Sequence, residues 1–266
     1  LTMKWAESIY LTLQASYARC LKVVSEGLSL SESTGVYIMD FYLLGHGALS
    51  AFNVGDIERA EGLLERMGSS IAGARLTAQS FYHFLMSYRA LLRGNTEQAI
   101  TYAEYSLNET KETGYPVTEC LAHFLMAQVM HENKEDKKAL SHLKECLKIG
   151  RLIKFRHVEF MALLSEAHFA FDRGDDNSGI SSLRKAMALG REYGYIGTYL
   201  WRQDVMVRLC LKALANGIET GYVQELIRKR NLILESPLYD GSENWPWPVK
   251  VFSLGRFSIL KEGKLL

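Results

Sequence analysis

The sequence predicts an all-α solenoid of consecutive helix pairs. Three observations lead there: a repeat of about forty residues, a stretch without proline up to Pro116, and glycine-led turns at fixed places in the repeat. Self-similarity at such a period marks architectures in which each unit buries its apolar face against its neighbours.

Four segments display the repeat: GHGALSAFNVGDIERAEGLL, LMSYRALLRGNTEQAITYA, MAQVMHENKEDKKALSHLK and SEAHFAFDRGDDNSGISSLR. A small residue recurs in the first helix of each, at Ala48, Ser87, Ala127 and Ala167. A second recurs in the following helix, at Ala60, Ala99, Ala139 and Gly179. Two independent slots keep one period, which chance composition does not do. The physical need is close approach, because a larger side chain at a crossing of antiparallel helices pushes the axes apart. Ala51, Ala90 and Ala170 fill a third slot, with Met130 as the exception.

The two helices of a pair are joined by Gly55-Asp56, Gly94-Asn95 or Gly174-Asp175. Glycine supplies the left-handed stop of the first helix, and the Asp or Asn caps the second. Asn95 followed by Gln98 resembles a capping box. The third repeat has Lys134 at the glycine position, so its turn is expected to be less ideal.

Small slots, turn and helix–turn–helix unit together resemble the tetratricopeptide repeat, over roughly residues 36–190. The period exceeds the usual length of about 34 residues. The resemblance implies a right-handed superhelix whose concave side is lined by the first helix of each pair. Two flanking stretches extend it. ASYARCLKVVSEGLSLSESTG reads as one amphipathic helix closed by Gly35, and YLWRQDVMVRLCLKALANGIETGYVQELIRKR as a long helix, a turn near Gly217 and a last helix. Five or six pairs over residues 1–233 result.

Positions one and four after the first small slot are expected to face the groove. They are Leu49 and Phe52, Tyr88 and Leu91, Gln128 and His131, His168 and Phe171, with Tyr42 and Phe81 further up the same stripes. Aromatic area mixed with donors and acceptors suits a small-molecule inducer or an extended peptide. The same residues would also serve as packing between repeats.

Composition bounds the function. Of 266 residues, 48% are apolar and 23% charged, enough for a sizeable core and unlike a disordered chain. A net charge of +1 offers no global attraction to nucleic acid or to an anionic membrane. The scattered Cys20, Cys120, Cys146 and Cys210 share no metal-ligand spacing and read as buried free thiols of a cytoplasmic protein. No apolar run reaches membrane-spanning length, and no signal peptide is expected. The start at Leu1 and the stop at Leu266, inside a strand-like run, read as the ends of a piece of a longer protein.

Catalytic and metal patterns are not found. His46, His83, His123, His131, His142, His157 and His168 form no H-E-x-x-H, and no carboxylate completes a site with His123 and His131. Neither a phosphate-binding G-x-x-x-x-G-K-[ST] loop nor a G-x-S-x-G elbow occurs. The expectation is a protein that is not an enzyme, with no cofactor and no metal. Arg228, Lys229 and Arg230 complement the dipole of a helix C-terminus, although an attached DNA-binding domain would let them reach phosphate.

The tail differs in kind. Residues 234–248 read as a linker containing WPWP. Val249, Val251 and Ser253 then alternate with Lys250, Phe252 and Leu254, and a run from Phe257 to Leu260 ends at a Lys-Glu-Gly turn. That is a strand–turn–strand pattern. GIETGYVQELIRKR followed by WPWPVKVFSLGRFSILKEGKLL resembles the junction in large bacterial ATP-dependent transcriptional regulators related to the maltose-regulon activator. LGRFSI is similar to the opening strands of an OmpR-type winged helix, as in the antibiotic regulatory proteins of actinomycetes. The resemblance implies that residues 249–266 begin a DNA-binding domain and that a nucleotide-binding module lies upstream. ATP and DNA would then be partners only through parts outside the chain. The repeats themselves would couple an inducer or protein partner to that DNA-binding domain. The alternative is a free-standing tetratricopeptide adaptor for a protein or peptide.

Overall fold

The computed structural model describes residues 1–234, 242–252, 257–261 and 264–265. Among them twelve α-helices follow one another, and no strand precedes Val249. The helices are α1 (Thr2–Leu13), α2 (Tyr17–Thr34), α3 (Asp40–Val54), α4 (Ile57–Gly68), α5 (Leu76–Leu92), α6 (Thr96–Thr113), α7 (Pro116–Glu132), α8 (Asp136–Leu152), α9 (Arg156–Asp172), α10 (Asp176–Tyr193), α11 (Gln203–Ala215) and α12 (Thr220–Lys229). The fold class is the all-α solenoid of helix pairs that the repeat predicts.

The chain divides into two compact units. One is Leu1–Ser165 with Gly197–Arg202, and the other is Glu166–Ile196 with Gln203–Leu266. In the first unit each helix from α1 to α8 packs on the next, and α1, α3, α5 and α7 also pack on one another in order. The first helices of the pairs therefore form one continuous layer. In the second unit α10, α11 and α12 pack mutually.

The small slots explain how close the helices come. Ala48, Ala60, Ser87, Ala99, Ala127, Ala139 and Ala167 have no exposed surface. In the second repeat the two slots touch, since the Ser87 hydroxyl donates to the Ala99 carbonyl at 2.7 Å. In the second unit a Cβ added to Gly179 would lie 2.5 Å from the Phe171 ring, so only glycine admits that approach.

The turns follow the sequence closely. Gly55, Gly94 and Gly174 have φ of 78°, 69° and 76°. Asp56, Asn95 and Asp175 each accept a bond from the main-chain N–H three residues on. Lys134 holds the same left-handed conformation at φ 62° without being glycine, and Glu135 after it provides no side-chain cap. The weaker third turn is thus present as expected.

α1 packs on α2 as a further pair, although it has neither a side-chain cap nor an acidic first turn to announce it. One sequence reading is corrected. The helix read from Tyr199 onward begins only at Gln203. Tyr199–Arg202 stay non-helical, the Tyr199 N–H and the Trp201 carbonyl being bonded to side chains of the first unit.

At the C-terminus three short strands, β1 (Val249–Phe252), β2 (Ser258–Lys261) and β3 (Lys264–Leu265), form an antiparallel sheet in the order β1-β2-β3. Val251 faces Ile259 in register across β1 and β2. The third strand goes beyond the expected pair. Ser253, Leu254 and the Glu-Gly of the expected turn lie outside the described residues, as do residues 235–241 of the expected linker. Within the second unit, buried Trp245 and a bond from the Gln224 amide to the Asn244 carbonyl, 2.8 Å, anchor the segment before β1.

All four cysteines are free and buried. Burial pushes the Cys210 thiol up to about 12, which keeps it protonated and unreactive. No helix among the described residues is long and apolar enough to cross a membrane.

Candidate functional site

The layer of first helices in the first unit carries a seated guest, the six residues Gly197–Arg202. They follow α10 and precede α11 in sequence, yet they pack in the first unit. A non-helical segment brings main-chain donors and acceptors that must find partners once water is excluded. Side chains of the first helices supply them.

Tyr88, fixed on α5 next to the small Ser87, donates its hydroxyl to the Trp201 carbonyl at 2.7 Å. His157, in the first turn of α9, lies with Nε2 2.8 Å from the Gly197 carbonyl, so Nε2 carries the proton and donates. Burial lowers the affinity of that imidazole for a second proton, while the bond to Gly197 opposes the shift. One turn further along α9, the Met161 sulfur accepts the Tyr199 N–H at 3.4 Å. Arg202 closes the segment in a short ion pair with Glu132 at the end of α7.

Shape completes the fit. A Cβ on Gly197 would stand 2.7 Å from both Ala15 and the Tyr17 hydroxyl, so this position requires glycine for close approach. Leu200 and Trp201 are buried, at 7% and 5% exposure. Tyr199 borders a small cavity of about 40 Å³ with Phe81, Phe84, Ser106, Thr110 and Leu121.

The residues expected to line a groove are placed as follows. Phe52 and Tyr88 meet edge to face with centroids 5.4 Å apart, and both are buried. Half-buried Tyr42 shares a hydrogen bond with Thr77 at 3.0 Å and lies 5.5 Å from the Trp5 ring. Phe81 lies against His46, with centroids 5.3 Å apart. Gln128 donates to the Ser165 hydroxyl at 2.7 Å. His131 sits 2.9 Å from Asp136. Of this set, Tyr88 touches the seated segment through a hydrogen bond and Phe81 lines the cavity beside it.

His168 and Phe171 belong to the second unit. Arg208 of α11 donates to His168 Nδ1 at 2.5 Å and pairs with Asp172 at 2.7 Å. The Lys212 ammonium stands 5.1 Å above the Phe171 ring and bonds Asp176 at 3.2 Å. A cleft of about 830 Å³ runs along this part of α11, bordered by Val207, Arg208, Leu211, Lys212, Ile233 and Leu234.

His157, Met161, Glu132 and the segment itself escape a reading by repeat slots. One signal was available: GTYLWR is aromatic and apolar where a connector between helix pairs is ordinarily polar.

No protein-family model matches the chain, and comparison with curated proteins gives no match. Among solved structures, the chain is similar to BtubC (BKLC) from P. vanneervenii. The likeness covers 83% of this chain and 89% of that chain, with a TM-score of 0.52 and 13% identity. At that identity the likeness shows the helical-repeat fold alone.

Proposed function

We propose that the chain is a non-catalytic binding and coupling module of a cytoplasmic transcriptional regulator. Its layer of first helices takes an inducer or a partner segment, and the stacked repeats pass that event to an adjacent DNA-binding domain. The observation that carries the reading is the seating of Gly197–Arg202 across α5, α7 and α9. A face that satisfies the main-chain polar groups of a segment whose Leu200 and Trp201 are buried has the chemistry that recognition of a partner requires. The regulator half of the reading rests on the WPWP-to-LGRF junction and on the antiparallel pairing of β1 with β2. DNA contact belongs to a domain completed beyond these strands, and ATP to a nucleotide-binding module outside the chain.

A thermal-shift screen of the chain against metabolites and short peptides tests this. A ligand present at a hundred times its Kd stabilises the folded state by about 2.7 kcal/mol. Saturable stabilisation that weakens in His157→Gln is the expected result. A screen with no stabilising compound, or sequence-specific retardation of DNA by the chain alone at physiological salt, would overturn the reading.

A further inference from the structure

We infer that Gly197–Arg202 is an internal stand-in for the partner of this face, and that the partner is a non-helical peptide of the pattern Gly-small-aromatic-Leu-Trp-Arg, Thr198 being buried at the second place, that binds by exchange with it. The inference rests on the binding-module reading and specifies its ligand.

Each element of the pattern has a reader in the first unit. Glycine is demanded where a side chain would strike Ala15 and Tyr17. The two carbonyls of Gly197 and Trp201 are held by His157 and Tyr88 whatever side chains flank them. The Tyr199 N–H is met by Met161, and the Tyr199 ring borders the small cavity with Phe81 and lies 6.3 Å from the His157 ring. Leu200 and Trp201 are buried, which selects bulky apolar groups at those two places. Glu132 selects a cation at the last position, and Arg202 is the residue that fills it.

The energetics of exchange follow from tethering. An incoming peptide that repeats these contacts replaces like with like, so the net cost is the competition of a segment already attached at both ends. Short tethers act as an effective concentration of about millimolar. The intact chain therefore binds such a peptide weakly, and weakening the internal segment exposes the intrinsic affinity.

The test uses a fluorescently labelled GTYLWR peptide, the full chain, and the variants Arg202→Ala and Trp201→Ala, with binding read by anisotropy. Both variants are expected to bind the peptide at least about tenfold tighter than the unaltered chain, because the tethered competitor is weakened. A peptide with its tryptophan replaced by alanine should lose binding to them. Arg202 is partly exposed, so its variant keeps the test decisive if Trp201→Ala does not fold. A folded Arg202→Ala chain with the affinity of the unaltered chain overturns the proposal and makes the segment permanent core. A concentration-dependent dimer dissolved by the peptide would assign the exchange to a second copy and overturn a separate partner. If the peptide fails on every variant while another ligand from the thermal-shift screen stabilises the chain, only the exchange falls and the binding module stands.

Discussion

The Tyr88 hydroxyl donates to the Trp201 carbonyl at 2.7 Å, joining positions 113 residues apart in the chain. Tyr88 has no exposed surface, so neither partner can turn to water instead. Tyr88→Phe keeps the ring against Phe52 and removes the bond to the Trp201 carbonyl. The expected loss is about 1–3 kcal/mol of unfolding free energy in a denaturant titration. An unchanged midpoint would mean that the segment is not held there.

Lys134 occupies a left-handed turn that glycine fills in the other three repeats. A non-glycine residue pays about 1–2 kcal/mol for that conformation. Lys134→Gly is expected to raise stability by about 1 kcal/mol, the remainder being lost to the greater freedom of unfolded glycine. A lower melting temperature would show that the Lys134 side chain has a stabilising contact that outweighs its backbone.

Ala99 has no exposed surface, and its carbonyl accepts the Ser87 hydroxyl. Ala99→Leu adds three carbons at this crossing and should cost about 1–3 kcal/mol. Calorimetry of the variant measures it, and a neutral result would refute the assignment of the small slots to helix contacts.

His46 is buried, and burial alone pushes its pKa down to about 4. In the unfolded chain an imidazole titrates near 6.5, as a rough reference. Between these values the unfolded state binds more protons, so stability is full above the unfolded value and falls as pH drops toward the folded one. The depressed value corresponds to about 3 kcal/mol lost across that window. His123, lowered to about 4 by burial first and the nearby His142 second, adds to the same trend. His46→Gln should flatten the dependence of the melting temperature on pH between those limits. A slope identical to the parent would remove His46 from the account.

The helix pairs, their turns and even the weak third turn are legible in the sequence because they rest on local requirements. Gly55, Gly94 and Gly174 report left-handed backbone directly, and Ala48, Ser87 and Ala127 report close crossings. The rotation that puts Tyr88 on the layer of first helices is legible from Ser87 beside it. What covers Tyr88 is not, because that contact spans 113 residues and obeys no period. α1 is legible only within the expected five or six pairs, because no side-chain cap marks its start. The late start of α11 is missed because Tyr199–Arg202 read as helix on propensity alone, whereas these residues belong to the first unit, with Leu200 and Trp201 buried.

Hydrogen exchange of residues 197–202, resolved peptide by peptide in the full chain, tests the central claim most directly. The segment has no secondary structure, and its Tyr199 N–H is bonded to the Met161 sulfur. Protection of that amide comparable to the ends of α5 and α7 is therefore predicted in the free chain, with faster exchange in 197–202 alone when excess GTYLWR is added. Exchange at the rate of an open loop in the free chain would contradict the seated segment and, with it, the reading of the first-helix layer as a binding face.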